Sequence, residues 1–168
     1  MILFKNKIIF IHPPKTGGTP IEYILYKHEY KKNLYNMNHP TQHSKILLGG
    51  FINKYYNKFN TTDGLQHLDK KMIKKIYPNQ FKDFYIIGTI RNPFSRTVSM
   101  YNELVTHNSV LMDYYKISGN IDFKKFLFLL LSHTNIHTHH KPLVSFFKKK
   151  ELNHLIKLER FKRDLDFV

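Results

Sequence analysis

Two short apolar runs, each broken by a polar turn and followed by a helical pattern, set the fold of this chain. The first, Ile8-Ile9-Phe10-Ile11, is continuously apolar and mostly β-branched. It reads as a strand buried on both faces, the kind found in parallel sheets. Pro13-Pro14 ends it, and Lys15-Thr16-Gly17-Gly18-Thr19-Pro20-Ile21-Glu22 follows. Thr19 is placed to cap a helix, Pro20 suits its first turn, and Glu22 stands three residues beyond the cap. Ile21, Ile24, Leu25 and His28 continue at helical spacing. The second run, Phe84 to Ile90, leads into Arg91-Asn92-Pro93, where Asn92 can cap and Pro93 can take the first helical position. Beyond it Phe94, Val98, Tyr101 and Val105 form an expected apolar stripe, and Ser95, Ser99 and Asn102 a polar one. Strand, turn and helix repeated in this way predict a three-layer α/β/α domain with a mainly parallel sheet.

The remaining segments fit around these two units. Leu68 to Tyr77 reads as a helix with Leu68, Met72, Ile73 and Ile76 on one side. Lys70, Lys71, Lys74 and Lys75 lie opposite as a solvated face, and Pro78 limits the helix. Residues 108–120 read as loop. Asp122 opens a helix to about Leu131, apolar on several faces and so expected to be well buried. Leu155 to Leu158 reads as a last strand. Residues 30–64 are polar and irregular, apart from a short apolar piece at Leu47 to Phe51, and a stretch of that kind is often a functional loop. No repeat, low-complexity linker or second domain stands out. Residues 1–168 are expected to form a single domain, a length that buries enough surface for a core.

Composition removes several classes of function. The chain has no cysteine, which excludes a disulfide scaffold, a Cys-ligated zinc site and thiol catalysis. No apolar run approaches the roughly 18 residues of a bilayer span, and no secretory leader pattern opens the chain. A soluble, cytoplasmic protein is expected. Lys and Arg total 27 against 12 Asp and Glu, a formal charge of +15. That excess invites a nucleic-acid partner. Only Arg91, Arg96, Arg160 and Arg163 are arginine, however, and arginine is the residue of bidentate base readout. A general bias toward Lys, Asn, Ile, Tyr and Phe accounts for the charge without any binding function.

The chemistry concentrates at the two turns. Ligands of open α/β sheets bind beyond the carboxyl ends of the strands, and a helix N-terminus there suits an anion. Gly17 and Gly18 allow close backbone approach, and Lys15 precedes them. Arg91 ends the second strand, and Ser99 lies two turns into the following helix. Two phosphate-like groups are therefore expected, one at each strand end. A kinase-type P-loop places Lys directly before Ser or Thr and after its last glycine, unlike Lys15 here. His133, His137, His139 and His140 form a metal-like cluster, but no cysteine or nearby carboxylate joins them, so no metal is assigned. A loop lining the acceptor cleft is the preferred reading. Arg96 is read as a structural or rim residue, and Lys148-Lys149-Lys150 as a solvent-facing run.

The segment Ile-His-Pro-Pro-Lys-Thr-Gly-Gly-Thr-Pro-Ile-Glu at 11–22 resembles the 5′-phosphosulfate loop of sulfotransferases that use 3′-phosphoadenosine 5′-phosphosulfate (PAPS). Its Pro-Lys-Thr-Gly-Gly-Thr core is nearest the carbohydrate-type, glycan O-sulfotransferase branch. Ile-Arg-Asn-Pro-Phe-Ser-Arg-Thr-Val-Ser-Met-Tyr-Asn at 90–102 resembles that family's 3′-phosphate motif, with Arg91 and Ser99 at its Arg and Ser. Gln66-His67-Leu68 looks like the segment that bears a catalytic histidine, and His140-Lys141-Pro142 and Leu158-Glu159-Arg160-Phe161 look like weaker downstream landmarks. The resemblance implies a P-loop-like sulfotransferase fold that moves a sulfuryl group from PAPS, as co-substrate and without a metal, to a hydroxyl of a carbohydrate. It implies a donor site of Lys15, Thr16, Gly17, Gly18, Thr19, Arg91 and Ser99, with Lys15 and His67 catalytic. Two departures stand against the pattern. Pro20 replaces the usual Ser and removes one N–H donor. The chain also stops soon after Glu159, where family members continue with elements around the adenine and the acceptor, which leaves room for a homo-oligomer or a completing partner. The alternatives carried forward are an inactive nucleotide-binding relative and a basic nucleic-acid-binding module.

Overall fold

The computed structural model describes residues 2–3, 5–30, 67–107, 109–132 and 137–166. Its centre is a four-stranded sheet in the order β1 (Ile2–Leu3), β2 (Ile8–Ile11), β3 (Tyr85–Ile90) and β4 (His154–Lys157). β2, β3 and β4 run parallel, and β1 adds an antiparallel edge. The apolar runs are buried on both faces because helices cover both. Phe10 and its register partner Ile87 join Leu3, Ile21, Leu25 and Ile156 on one face, under α1 (Gly18–Tyr30) and α7 (Phe161–Leu165). Ile9, Ile11 and Ile86 face the other way, onto Leu68, Ile73, Phe146 and Phe147. The period-two alternation of side chains along a strand thus divides one run between two cores. The α/β fold with a mostly parallel sheet matches the sequence reading.

α2 (Lys70–Ile76) forms where predicted and is capped by Asp69, whose Oδ1 accepts from the Met72 amide at 2.8 Å. Its lysine face is solvated at Lys71, Lys74 and Lys75. Lys70 departs from that reading, pairing with Glu151 at 2.7 Å and lying over the Phe81 ring. Pro78 does end α2, and it also opens α3 (Pro78–Asp83) at the first position, where its missing N–H costs nothing.

Four local expectations need correction. The helix α1 starts at Gly18, one residue before Thr19, so Thr19 lies within its first turn rather than ahead of it. Glu22 is buried against His12. On α4 (Pro93–His107) the stripe Phe94, Val98 and Val105 faces solvent, Phe94 being 81% exposed. The buried face carries Arg96, Met100 and Leu104 instead, because Arg96 is drawn inward by two carbonyl oxygens described below. Residues 109–114 are not loop but α5 (Ser109–Tyr114), which buries Leu111 beside Met100 and Leu104. Finally, α6 (Phe123–Ser132) is capped by Asp122 as expected but buries only Phe126, while Leu131 is 85% exposed. It packs into the α4–α5 cluster rather than onto the sheet, so one stripe is covered. The readings at 30–64 and at Leu47 to Phe51 fall, beyond Tyr30, outside the described residues, as does His133. Among the described residues, no helix is long and apolar enough to cross a membrane.

Candidate active site

β2 and β3 are neighbouring parallel strands, so their carboxyl ends open side by side. The chain leaves β2 through Lys15 and Gly17, both with positive φ (64° and 75°). The glycine bears that conformation freely, whereas a lysine there costs roughly 1–2 kcal/mol. At Gly18 a Cβ atom would stand 2.0 Å from Cδ2 and 2.3 Å from Nε2 of His12, so the buried His12 ring occupies the space of any side chain. At Gly17 it would meet Leu158 at 2.4 Å. The helix therefore opens on two residues with no side chain to cap it, and the amides of its first turn have no intrahelical acceptor. Thr16 is buried beneath them. Its hydroxyl donates to the Pro13 carbonyl at 2.7 Å and so accepts from Thr89 Oγ1, also at 2.7 Å, which joins the loop to β3.

The β3 end is built otherwise. Asn92 Oδ1 accepts from the amides of Phe94 and Ser95, at 3.0 and 3.2 Å, and caps α4 as the sequence predicts. The Asn92 amide donates to Glu159 Oε1 at 2.6 Å. Arg91 directs Nη1 to the Lys15 carbonyl at 3.5 Å, which places the two predicted cations at one junction. Arg96, 5% exposed, donates from Nε to the Pro14 carbonyl at 3.0 Å and from Nη2 to the His139 carbonyl at 3.3 Å. It is structural, and burial brings its pKa down to about 10, so it stays charged near neutrality.

His67 reaches the same place from outside the strand-loop units. Its Nδ1 lies 2.8 Å from the His12 carbonyl oxygen. A carbonyl only accepts, so Nδ1 carries the hydrogen and Nε2 keeps its lone pair. The ring meets His12 edge-on at 4.7 Å between centroids and His139 at 5.0 Å. Burial, then the charges of His12 and His139, hold its pKa well below the ordinary histidine value. A neutral ring with a free Nε2 is the form that takes a proton at pH 7.

Three further residues surround this point. Glu103 on α4 contacts Lys15 Nζ at 3.4 Å through Oε1 and His139 Nδ1 at 3.3 Å through Oε2. Burial pushes its carboxyl up, but His139 and Lys15 outweigh it and keep the group below the usual carboxylate range. Beneath the loop His12 Nδ1 faces Glu22 Oε1 at 3.2 Å, both side chains almost wholly buried. Sequence reasoning passed over Glu103 because it weighed the stripe Ser95, Ser99 and Asn102. The side chains that make the contacts are Arg96 and Glu103, two helical turns apart on one face of α4.

The structure thus gathers Lys15, Thr16, Gly17, Gly18, Arg91 and His67 around the ends of two strands. Ser99 is half-buried between Arg96 and Glu103 on α4, and Thr19 is exposed on the first turn of α1. The histidine cluster is engaged within the fold. His137 Nδ1 accepts from the His139 amide at 3.3 Å, and His140 Nδ1 lies 2.8 Å from the Tyr115 hydroxyl. Among the described residues, no group of three or more His, Asp or Glu is arranged to hold a metal ion.

Comparison with protein-family models matches the sulfotransferase family over residues 1–168. Searches of curated proteins and of solved structures returned no match. With the matched family spanning every residue, from the glycine loop through the Arg91 turn to β4, the chain belongs to the sulfotransferase family of PAPS-dependent enzymes.

Proposed function

We propose that this chain transfers a sulfuryl group from PAPS to a hydroxyl of a carbohydrate, with Lys15 and His67 at the reacting centre. The observation that carries the reading is the bond from His67 Nδ1 to the His12 carbonyl. It ties a neutral base to the strand end whose loop bears Lys15. The donor has two anionic ends. In this reading Lys15 with the first-turn amides of α1 meets one, and Arg91, whose Nη1 reaches the Lys15 carbonyl, meets the other with Ser99. These residues fit the group.

PAPS supplies a sulfuryl group on an activated phosphosulfate linkage. The amides of Thr16, Gly17 and Gly18 and the hydroxyl of Thr19 hold the 5′ anion, where the helix dipole favours negative charge. The Lys15 ammonium neutralises charge that builds on the bridging oxygen, an interaction strongest in the transition state. Arg91 and Ser99 hold the 3′-phosphate. His67 Nε2 accepts the proton of the acceptor hydroxyl. Pro20, which has no N–H, leaves the first turn of α1 one donor short, so Lys15 carries more of the anion's charge. The carbohydrate acceptor rests on the Pro-Lys-Thr-Gly-Gly-Thr core of the loop.

The test is thermal unfolding with 3′-phosphoadenosine 5′-phosphate, followed by transfer of labelled sulfate to a glycan panel. Ligand at one hundred times its dissociation constant should stabilise the fold by about 2.7 kcal/mol. An unmoved transition at millimolar nucleotide would overturn the reading. Binding without transfer to any glycan would remove the carbohydrate acceptor and leave a nucleotide-binding relative.

A further inference from the structure

We propose that Glu103 is a positioning residue of the transfer reaction: its two carboxylate oxygens tie Lys15 of the donor loop to His139, and through the His139 ring to His67. The inference rests on the roles given above to Lys15 and His67.

The geometry is bidentate across two segments that are far apart in sequence. Oε1 holds the Lys15 ammonium at 3.4 Å and Oε2 holds His139 Nδ1 at 3.3 Å. The ring of His139 then meets His67 edge-on at 5.0 Å. Two helical turns earlier on the same face of α4, Arg96 grips the backbones of these same two segments, at the Pro14 and His139 carbonyls. Arg96 thus sets where the two backbones run, and Glu103 sets where their working side chains point. Lys15 needs such help, because its left-handed backbone is costly for a residue with a Cβ atom and its four-carbon stem is flexible. Both side chains of the Lys15–Glu103 pair are largely shielded, at 26% and 18% exposure, so the contact is less screened than a surface pair.

A second consequence has the opposite sign. The carboxylate sits on the ammonium that an incoming anion must take, and its negative charge opposes that anion. Glu103 therefore weakens donor binding while it aligns Lys15 for the reaction. Glu103→Gln keeps the shape and removes the charge. It should bind 3′-phosphoadenosine 5′-phosphate about two- to fivefold more tightly by calorimetry. It should also release that nucleotide from PAPS roughly 10- to 100-fold more slowly. A merely structural residue would weaken both together. In a binding cycle with Lys15→Gln, the gain from Glu103→Gln should vanish, since no ammonium remains to be freed. Glu103→Asp, which keeps the charge and shortens the reach, should lose turnover without the gain in affinity.

Affinity and turnover that fall together, or that both stay at the wild-type values, would overturn the proposal. So would a gain in affinity that survives Lys15→Gln. Failure of the broader reading looks different, because wild-type protein would then not bind the nucleotide at all. If Glu103→Gln does not fold, the Glu103→Asp variant decides alone, and wild-type turnover in it would overturn the positioning role.

Discussion

The two strand ends that make up the candidate site follow one plan and finish it differently. Beyond β2 the chain turns on Gly17 and Gly18, and helix α1 begins on residues that have no side chain of their own to cap it. Beyond β3 the chain turns on Asn92 and Pro93, and the Asn92 side chain takes the amides of Phe94 and Ser95. A helix terminus that is already capped has little left for an anion. The first end is thus suited to grip an anion with its backbone, whereas the proposed 3′-phosphate site at the second rests on side chains, Arg91 and Ser99. The histidines gather at the first end, where the rings of His12 and His139 both meet His67.

That contrast can be broken from either side. The largest effect should come from Lys15→Ala, which is expected to lower turnover by about 10²–10³-fold, well beyond its loss of nucleotide affinity. Arg91→Ala should do the reverse, chiefly raising the dissociation constant for 3′-phosphoadenosine 5′-phosphate. Equal effects of both on turnover, measured with saturating PAPS, would erase the distinction between the ends. Gly18→Ala comes next. Its Cβ must displace the His12 ring, which overpacks a buried site and should cost about 1–3 kcal/mol in denaturant unfolding, with loss of nucleotide binding.

Acidification should strike the histidine-rich side. His67 is held neutral by burial and by the neighbouring histidine charges, and burial with the charges of His139 and His137 brings His140 down to about 3. The unfolded chain binds more protons than the native one below the ordinary histidine value of about 6.5. Stability is therefore full above that pH and should fall as pH drops from there toward 3. Each histidine adds up to about 1.4 kcal/mol per pH unit. Chemical denaturation at pH 7.5 and pH 5 checks the sign, and equal stability at the two values would show that neither ring is held neutral. The smallest effect belongs to Asn92→Ala. Loss of the cap should cost about 1 kcal/mol of stability while nucleotide binding persists, because its amides are already spoken for.

The strand runs and the Asn92 cap were legible because they depend on neighbours in sequence. Ile8 to Ile11 and Tyr85 to Ile90 could hardly be anything but buried strands, and the loops between strand and helix follow from their glycines and prolines. The face of α4 was not legible. Apolar periodicity put Phe94 and Val98 inward, whereas the fold buries Arg96, whose carbonyl partners lie 82 and 43 residues away. Glu103 escaped notice for the same reason: what gives it meaning is Lys15 and His139, which lie far from it in sequence and are brought near only by the fold. His67 was located only through family likeness. Its bond to the His12 carbonyl spans 55 residues, and no local pattern announces it.

The buried hydroxyl pair of Thr16 and Thr89 sets a ruler across the site. It pins the glycine loop to β3, while pairing of β2 with β3 fixes the strand ends side by side, roughly 4.8 Å apart as in any sheet. Neither end can travel without the other. On the proposed donor site, such bracing would select by span: a nucleotide whose two anionic groups match the gap would gain both grips at once, and a mononucleotide with a single phosphate only one.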